Sequence, residues 1–592
     1  MVKKLQIILS FTFVLLLLSG AKVSAQTSGE ITGLVTDSAG ATVVGATVTV
    51  TNKATGAARH ITTNNQGLYA FPSLLPGQYD LKVEQQGFKT AQLNDITLVV
   101  QQTARLDVTM EVGQVGETLT ITSNSTVLNA ENATVGTVIE NKTVTELPLN
   151  GRQYLNLVAL SPNVNVLAPA AGQAGARQGG ERAQQAISAG GQRIFFDYYT
   201  LDGVNNMDVN FNSYVALPSI DAIQEFKVQI GVYPAEYGHQ STQVNVLTKS
   251  GGNAYHGTLF EFLRNDKLDA KQYQFTSAKP KNPFKWNDYG FELDGPVRIP
   301  KLFNGHDKLF FMSNYEALRR RQSGLNTFTV PTGKMFTGDF SELLPSTVIY
   351  DPSTGQPFAG NIIPTNRLDP ISVKFLKYYN SGSAFTTNNY AQTSSQPFNR
   401  DGFVVRLDFI ESSKSQWMGR YNWGDENTST QGLNIAGTKV LTNYEQYTGS
   451  NTRTITPNLI NDVRFVYTRF FNSLGTLSAG NTDVVSAIGI PNQKPGAPIT
   501  WGIPNVVFNG GDSAGSATPT TVLSPTTITP CNSLIKCLGY MASILSASGA
   551  STIGKTSTRS ATSSRAVCLH SRRMRQRILQ MELVATPLPN SC

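Results

Sequence analysis

The sequence predicts an all-β protein in three parts: a small β-sandwich, an α+β globular segment, and the first strands of an antiparallel membrane β-barrel, left incomplete. Three observations carry that reading. An export signal opens the chain, and no later apolar run reaches the ~18 residues that mark a spanning helix. Short strands with period-two alternation follow, with turn signals every ~8–12 residues. Beyond Tyr255, aromatic and aliphatic residues recur at every second position, opposite polar ones.

The export signal comes first. Lys3 and Lys4 precede an apolar run over 5–18, and Val23-Ser24-Ala25 supplies the small residues of a cleavage site. Cleavage is expected between Ala25 and Gln26, so residues 1–25 form the signal. Charged residues make up 15% of the chain, below the roughly 25% of soluble domains, as a lipid-facing surface requires. The net charge of +8 comes from the two ends, and the body between them is near neutral. No basic face calls for a nucleic-acid partner. All four cysteines (Cys531, Cys537, Cys568, Cys592) lie in the last segment, so the body suits an oxidising compartment and excludes thiol chemistry.

Residues 27–112 read as the sandwich. Segments 31–37, 47–51, 68–71, 79–83, 96–100 and 106–110 alternate as half-buried strands, with turns at Asp37-Ser38-Ala39-Gly40, Asn64-Asn65-Gln66-Gly67 and Leu75-Pro76-Gly77. Tyr69, Phe71 and Tyr79 are expected in its core. Gly33, Val35 and Asp37, then Gly45 and Ala46, then Gly67, and finally Leu75-Pro76-Gly77 with Tyr79 form a pattern that resembles the carboxypeptidase regulatory-like, or transthyretin-like, domain. The resemblance implies a carbohydrate-binding-like fold, with glycan binding as one reading and a spacer as the other.

Residues 113–126 hold a short β-prone segment: Glu117, Thr118, Leu119, Thr120, Ile121 and Thr122. It resembles the TonB box of outer-membrane transporters. Such a segment works by edge pairing, in which an extended peptide adds a strand to a partner through backbone hydrogen bonds. Its plainer reading is the last strand of the sandwich.

Residues 127–250 follow as the α+β segment. They include 147–154 (Leu-Pro-Leu-Asn-Gly-Arg-Gln-Tyr), a Gly/Gln/Ala-rich stretch over 168–191, a strand and turn over 199–204, and a short helix leading into a strand over 218–228. This ordered set resembles the plug of TonB-dependent receptors. The succession from regulatory-like domain to plug to barrel resembles their Oar-like subgroup. The resemblance implies a TonB-type energy-transducing protein of the inner membrane as partner, a location in outer-membrane lipid, and a substrate such as a glycan, peptide or iron chelate. Arg152, Asp202, Asp221, Glu225 and Glu236 are the charged candidates for contacts between plug and barrel.

Residues 235–264 make the passage into the wall, which is expected over 255–510. Tyr289, Phe291 and Leu293 oppose Asp288, Glu292 and Asp294; Phe403, Val405, Leu407 and Phe409 oppose Arg406 and Asp408. Trp417, Tyr421 and Trp423 oppose Arg420 and Asn422; Val463, Phe465 and Tyr467 oppose Asp462 and Arg464. Leu309, Phe311 and Tyr315 are expected on the lipid side of a rougher strand. Strands of about ten residues are expected, the length that crosses a bilayer. The stretch 325–401 shows little alternation and reads as one long external loop. Asp339, Arg367 and Asp369 are its candidates for substrate contact, against the alternative of turn stabilisation.

Only seven or eight wall strands are legible, against about 22 in plugged transporters. After Tyr540 no aromatic residue occurs. Residues 515–592 therefore read as an out-of-frame tail on a longer ancestral chain, with a genuine basic tail as the alternative, and any activity as that of an intact relative. No enzyme is indicated. His60, His239, His256, His306 and His570 are scattered, no His-Glu-x-x-His, Gly-x-Ser-x-Gly or phosphate loop occurs, and no cofactor or metal site is suggested. Two functions remain open: an energised outer-membrane transporter, and a surface carbohydrate-binding or adhesion protein.

Overall fold

A computed structural model describes residues 28–113, 118–122, 136–149, 151–166, 187–193, 196–208, 213–231, 242–271, 273, 281–384, 388–433, 437–456, 459–478, 480–490, 501–502 and 555–557. The cleavage site at Ala25 and Gln26, Glu117, most of the Gly/Gln/Ala-rich stretch, Glu236 and most of 515–592 lie outside the described residues.

The N-terminal module is a sandwich of two sheets. In one, Gly29–Asp37 pairs antiparallel with Leu68–Leu74 and parallel with Thr103–Arg105 and Val108–Met110. The other runs Ala58–Thr62, Thr47–Asn52, Gly77–Glu84, Thr90–Leu98, Thr118–Thr122. Alternate residues face inward, so Ile31, Val35, Val48, Val50, Leu81 and Val83 are buried. Tyr69, Phe71 and Tyr79 are core residues as expected, with at most 4% exposure. The Tyr69 hydroxyl donates to the Leu106 carbonyl at 2.5 Å. One strand differs from its expected place. The strand read over 96–100 is Thr90–Leu98, and Val100 lies in the turn beyond it. Asp95 sits at positive φ and shifts the register there, a break that no hydrophobic pattern displays.

The second body is a five-stranded sheet ordered Gly136–Glu140, Ile223–Ile230, Thr242–Thr248, Asp197–Leu201, Val204–Asn205. A helix, Asn141–Glu146, and a 3-10 turn, Tyr154–Leu160, pack on it. The short helix expected ahead of the strand at Ile223 is a single 3-10 turn, Ile220–Ala222, capped by the Ser219 side chain. Tyr154 meets Phe226 edge to face at 5.4 Å. Thr242–Thr248 is buried on both faces. One face is apolar (Val244, Val246); the other carries Asn245, which donates to Gln229 and accepts from Thr200. A strand polar on one buried face needs polar partners, and Thr200 and Gln229 on the two neighbouring strands supply them.

The wall has seven antiparallel strands among the described residues: His256–Asn265, Phe284–Pro296, Leu309–Phe328, Tyr390–Ser412, Ser415–Gln431, Gly437–Thr456 and Leu459–Thr476. Lys555–Ser557 pairs parallel with the last. The described sheet does not close on itself. Its lumen face buries Asp288, Glu292, Asn314, Glu316, Arg406, Arg420, Gln446 and Arg464. Its outer face exposes Tyr289, Leu293, Leu407, Phe409, Trp417, Phe465 and Tyr467. Tyr421, Tyr447 and Tyr467 form a ladder across three strands, with ring centroids 4.8 and 6.2 Å apart. Leu309, Phe311 and Tyr315 also face out, while Phe310 and Met312 turn inward, where Met312 and Val404 pack on Ala222.

Two expectations about the wall are corrected. Most strands are far longer than ten residues; Tyr390–Ser412 has 23. The external loop is shorter than 325–401, because Leu309–Phe328 and Tyr390–Ser412 stay paired up to Phe328↔Tyr390. About ten residues suffice to cross hydrocarbon, so the excess strand need not carry an apolar outward face, and its sequence does not alternate.

The two ends of the wall differ. At the end that carries Asn253 and Asp307, Ser412 pairs with Ser415 and Thr456 with Leu459, so only two residues separate each of these strands from the next. The opposite end carries the 329–389 loop. The sandwich docks at the short-turn end. Its Ala54 carbonyl accepts from the Asn253 N–H at 2.8 Å, and Arg59 donates to the Thr454 hydroxyl at 3.3 Å.

Candidate functional site

The seam between the wall and the five-stranded sheet, the segment expected as the plug, holds a dense cluster of buried charge. Its centre is Asp202, in the turn between Asp197–Leu201 and Val204–Asn205. This turn needs left-handed backbone at Asp202 (φ 49°) and Gly203 (φ 73°). The Asp202 carboxylate accepts the Thr248 N–H at 2.8 Å and the Thr248 hydroxyl at 2.9 Å. It also accepts from Arg406 at 3.3 Å and from Arg420. Arg464 donates to the Asp202 carbonyl at 3.4 Å.

Three wall arginines thus converge on one plug residue. Each is held from behind. Arg406 forks onto Asp408 with two 2.8 Å bonds, and Arg464 onto Asp462 at 2.9 and 3.1 Å. Arg420 donates to Gln446 at 2.6 Å and Thr448 at 3.1 Å. Burial by itself would raise the Asp202 pKa; Arg420, Arg406 and the two Thr248 bonds outweigh it and hold the carboxyl below its ordinary value.

A second anchor uses Arg152. Its guanidinium pairs with Asp221 in the plug and lies 3.8 Å from Glu316 of the wall. It also stacks over Phe260 and Phe262 of the first wall strand, 4.2 and 4.6 Å from the ring centroids. Glu316 in turn accepts from Ser219 at 2.6 Å and from Arg400. Gly151 precedes Arg152 at φ 80°, and a Cβ there would lie 3.0 Å from the Trp286 ring. Beside this anchor Asp288 is 2% exposed, and neither carboxylate oxygen has a hydrogen-bond partner among the described residues.

Of the five expected plug charges, Arg152 and Asp202 reach the wall, and Asp221 joins through Arg152. Glu225 does not. It points away from the wall and accepts the N–H of Val100 in the sandwich. Strand alternation decides this, since Glu225 and Lys227 share the face turned to the module. Burial pushes the Glu225 pKa up to about 7, with Glu140 adding to it and the Val100 bond and Lys227 opposing it.

Thr118–Thr122 pairs parallel with Thr90–Asn94 of the sandwich, which is the plainer of its two expected placements. The loop candidates serve local structure. Asp339 accepts the Ser341 N–H at 2.9 Å, Asp369 caps Pro370–Leu376 through Ser372, and Arg367 forks onto Asp351 at 2.7 and 3.0 Å. Arg367 and Ser353 hold the Asp351 carboxyl well below the usual carboxylate range.

A cavity of about 590 Å³ lies below the Asp202 seam, bounded by Lys53 and Arg59 of the sandwich and by Arg406, Asp408 and Arg464 of the wall. Among the described residues no group of three His, Cys, Asp or Glu is placed to hold a metal ion. No described helix is long and apolar enough to cross a membrane, which leaves strand crossing untouched.

Residues 30–111 match the family described as carboxypeptidase regulatory-like domain, and residues 247–539 match the outer membrane beta barrel domain. The TonB-dependent transporter Oar of Myxococcus xanthus is 24% identical over 301 residues, which span 48% of this chain and 27% of Oar. Among solved structures, the outer membrane transporter YddB of Escherichia coli aligns at 9% identity and TM-score 0.36, covering 56% of this chain and 39% of YddB. A ferric enterobactin receptor of Pseudomonas aeruginosa aligns at 11% identity and TM-score 0.33, covering 57% and 41%. The chain therefore spans about a quarter of the curated relative's length and about two fifths of these structures' lengths.

Proposed function

Starting from a chain that joins a carboxypeptidase regulatory-like domain to an outer membrane beta barrel domain, and so resides in the outer membrane, we propose that it acts as a TonB-dependent receptor and transporter. The observation that carries this reading is the Asp202 seam. A separate folded sheet is held against the lumen face of a membrane wall chiefly by buried ion pairs, with a small apolar contact of Ala222 on Met312 and Val404. Polar seams of this kind separate at lower cost when water enters, because each group can exchange its partner for solvent. An apolar seam of the same size has no such substitute. The geometry therefore suits a plug that is meant to move.

In this reading residues 117–122 are the handle. An inner-membrane energy-transducing protein would pair with the Thr118–Thr122 edge, which ends the sandwich sheet among the described residues. Arg152 and Asp202 are the anchors that the pull must release. The substrate class stays open among glycans, peptides and iron chelates. Transport also requires the two open edges of the described wall to be closed by further strands, because unpaired edges do not sit in lipid.

The surface-adhesion reading finds less support. Tyr69, Phe71 and Tyr79 are core residues, so the sandwich does not use them to stack sugars. The module also sits at the end with short turns, which in outer-membrane barrels faces the periplasm. The test is deletion of residues 117–122 in a strain that depends on this protein for growth on one member of a panel of glycans, peptides and iron chelates. Loss of uptake with retained surface binding supports transport. Unchanged uptake sinks it.

A further inference from the structure

The N-terminal sandwich touches plug and wall at once, through contacts on different strands. On the plug side, the turn Val99–Gln102 projects toward the strand Ile223–Ile230. Val100 is fully buried there, and its N–H donates to the Glu225 carboxylate. The next residue, Gln101, stands at positive φ (56°), which turns its carbonyl toward Lys227; the two meet at 3.4 Å. The turn is internally braced, since Gln102 accepts the Val99 N–H at 3.0 Å and donates its own N–H to the Val99 carbonyl at 3.2 Å. On the wall side, Ala54 accepts from Asn253, Asn253 pairs reciprocally with Asp307 at 2.7 and 2.8 Å, and Arg59 reaches Thr454. Two elements that must separate during transport are thus bridged by a third.

We propose that the sandwich is a clamp that locks the plug in place, with Glu225 as its catch. The turn Val99–Gln102 must leave the plug before Ile223–Ile230 can leave the wall. The inference rests on the plug reading above. It goes further in giving the N-terminal module a restraining role and naming the contact that enforces it. The buried contact between Val100 and Glu225 gives the clamp a defined seat, because a small shift would leave both groups unsatisfied, while the wall-side contacts at Asn253, Asp307 and Thr454 are partly exposed and hold the module more loosely. The body of the chain contains no cysteine, so the seat can be trapped by introduced pairs once the four tail cysteines are changed to serine.

The experiment uses the full chain in detergent micelles with one of two changes: the pair Val100→Cys with Glu225→Cys, or the single change Asp202→Ala, which removes the anchor between plug and wall. Hydrogen exchange of Phe226 and Val228 is compared in oxidised and reduced forms of the pair, and between Asp202→Ala and the native chain, at a urea concentration that loosens the plug. The clamp predicts that the pair oxidises and slows exchange about tenfold, the factor carried by roughly one buried hydrogen bond. As a check independent of crosslinking, Glu225→Ala speeds the same amides about as much, while Glu225→Gln, which keeps an acceptor, leaves them near the native rate. If crosslinking the pair changes nothing, or if Glu225→Ala leaves the amides at the native rate while Asp202→Ala speeds them, the clamp is wrong and the plug reading stands. If Asp202→Ala leaves them at the native rate as well, the plug is not seated in the wall through Asp202 and both readings fall.

Discussion

Asp202 and Arg420 pair across the plug and the wall with 3% and 0% of their side chains exposed, and no second carboxylate pairs with Arg420 among the described residues. Removing the acid therefore strands a buried cation. Asp202→Ala should destabilise the seated plug by about 3–5 kcal/mol. Urea titration followed by exchange at Phe226, in the middle of the same sheet, measures it. Adding Arg420→Leu should recover part of the loss, since the uncompensated charge goes too.

Arg152 combines a charge pair with stacking on two phenylalanines. Arg152→Lys keeps the charge and loses the flat guanidinium. A loss of about 1–2 kcal/mol in plug stability is expected, because an ammonium cannot stack and fork at the same time. Equal urea midpoints for the two proteins would refute the aromatic half of this anchor.

The plug should be least stable near pH 8. Glu225 titrates near 4.5 unfolded and about 7 folded, and burial pushes Asp197 up to about 8. Between the two values of each acid the folded state holds more protons, so stability falls as pH rises. Lys227 runs the other way. Burial lowers its pKa to about 8, so the unfolded chain holds more protons from there to 10.5, and stability climbs again. The acid limb from Glu225 is worth on the order of 3 kcal/mol. Urea midpoints at pH 5, 8 and 10 trace the curve, and Glu225→Gln should make its acid side shallower, leaving the part that Asp197 contributes.

Leu407 and Ile455 are both exposed on the wall, one within a strand's outward stripe and the other next to a short turn. Leu407→Arg should cost about 2–4 kcal/mol in a bilayer, and Ile455→Arg about 0–1 kcal/mol. Folding yields into liposomes and into water-rich micelles separate the two. A cost that ignores depth would remove the lipid from the account of this face.

Much of this fold is legible because one physical constraint, burial on one face only, writes a period of two into the chain. Asp288 to Asp294 and Phe403 to Phe409 show it without ambiguity, and the structure places each residue on its expected side. Where the constraint lapses, the signal lapses with it. The outer part of Leu309–Phe328 is exposed or half-buried on both faces, and that of Tyr390–Ser412 sets Ser, Thr and Gln on both, so their sequence reads as loop. Among the charges, Arg152 and Asp202 stand out beside glycines in turns. Their neighbours Glu316 and Arg400 do not, since a lumen-facing charge on a strand looks like any solvated one. Glu225 is visible as a plug charge, but its direction is not, because only three-dimensional placement decides which body covers that face.

The sandwich sits at the end of the wall where two residues suffice to reverse the chain, opposite the 329–389 loop. Immunostaining can exploit that geography. Antibodies raised against residues 28–113 should label cells only after the envelope is breached, whereas antibodies against the long loop should label them intact.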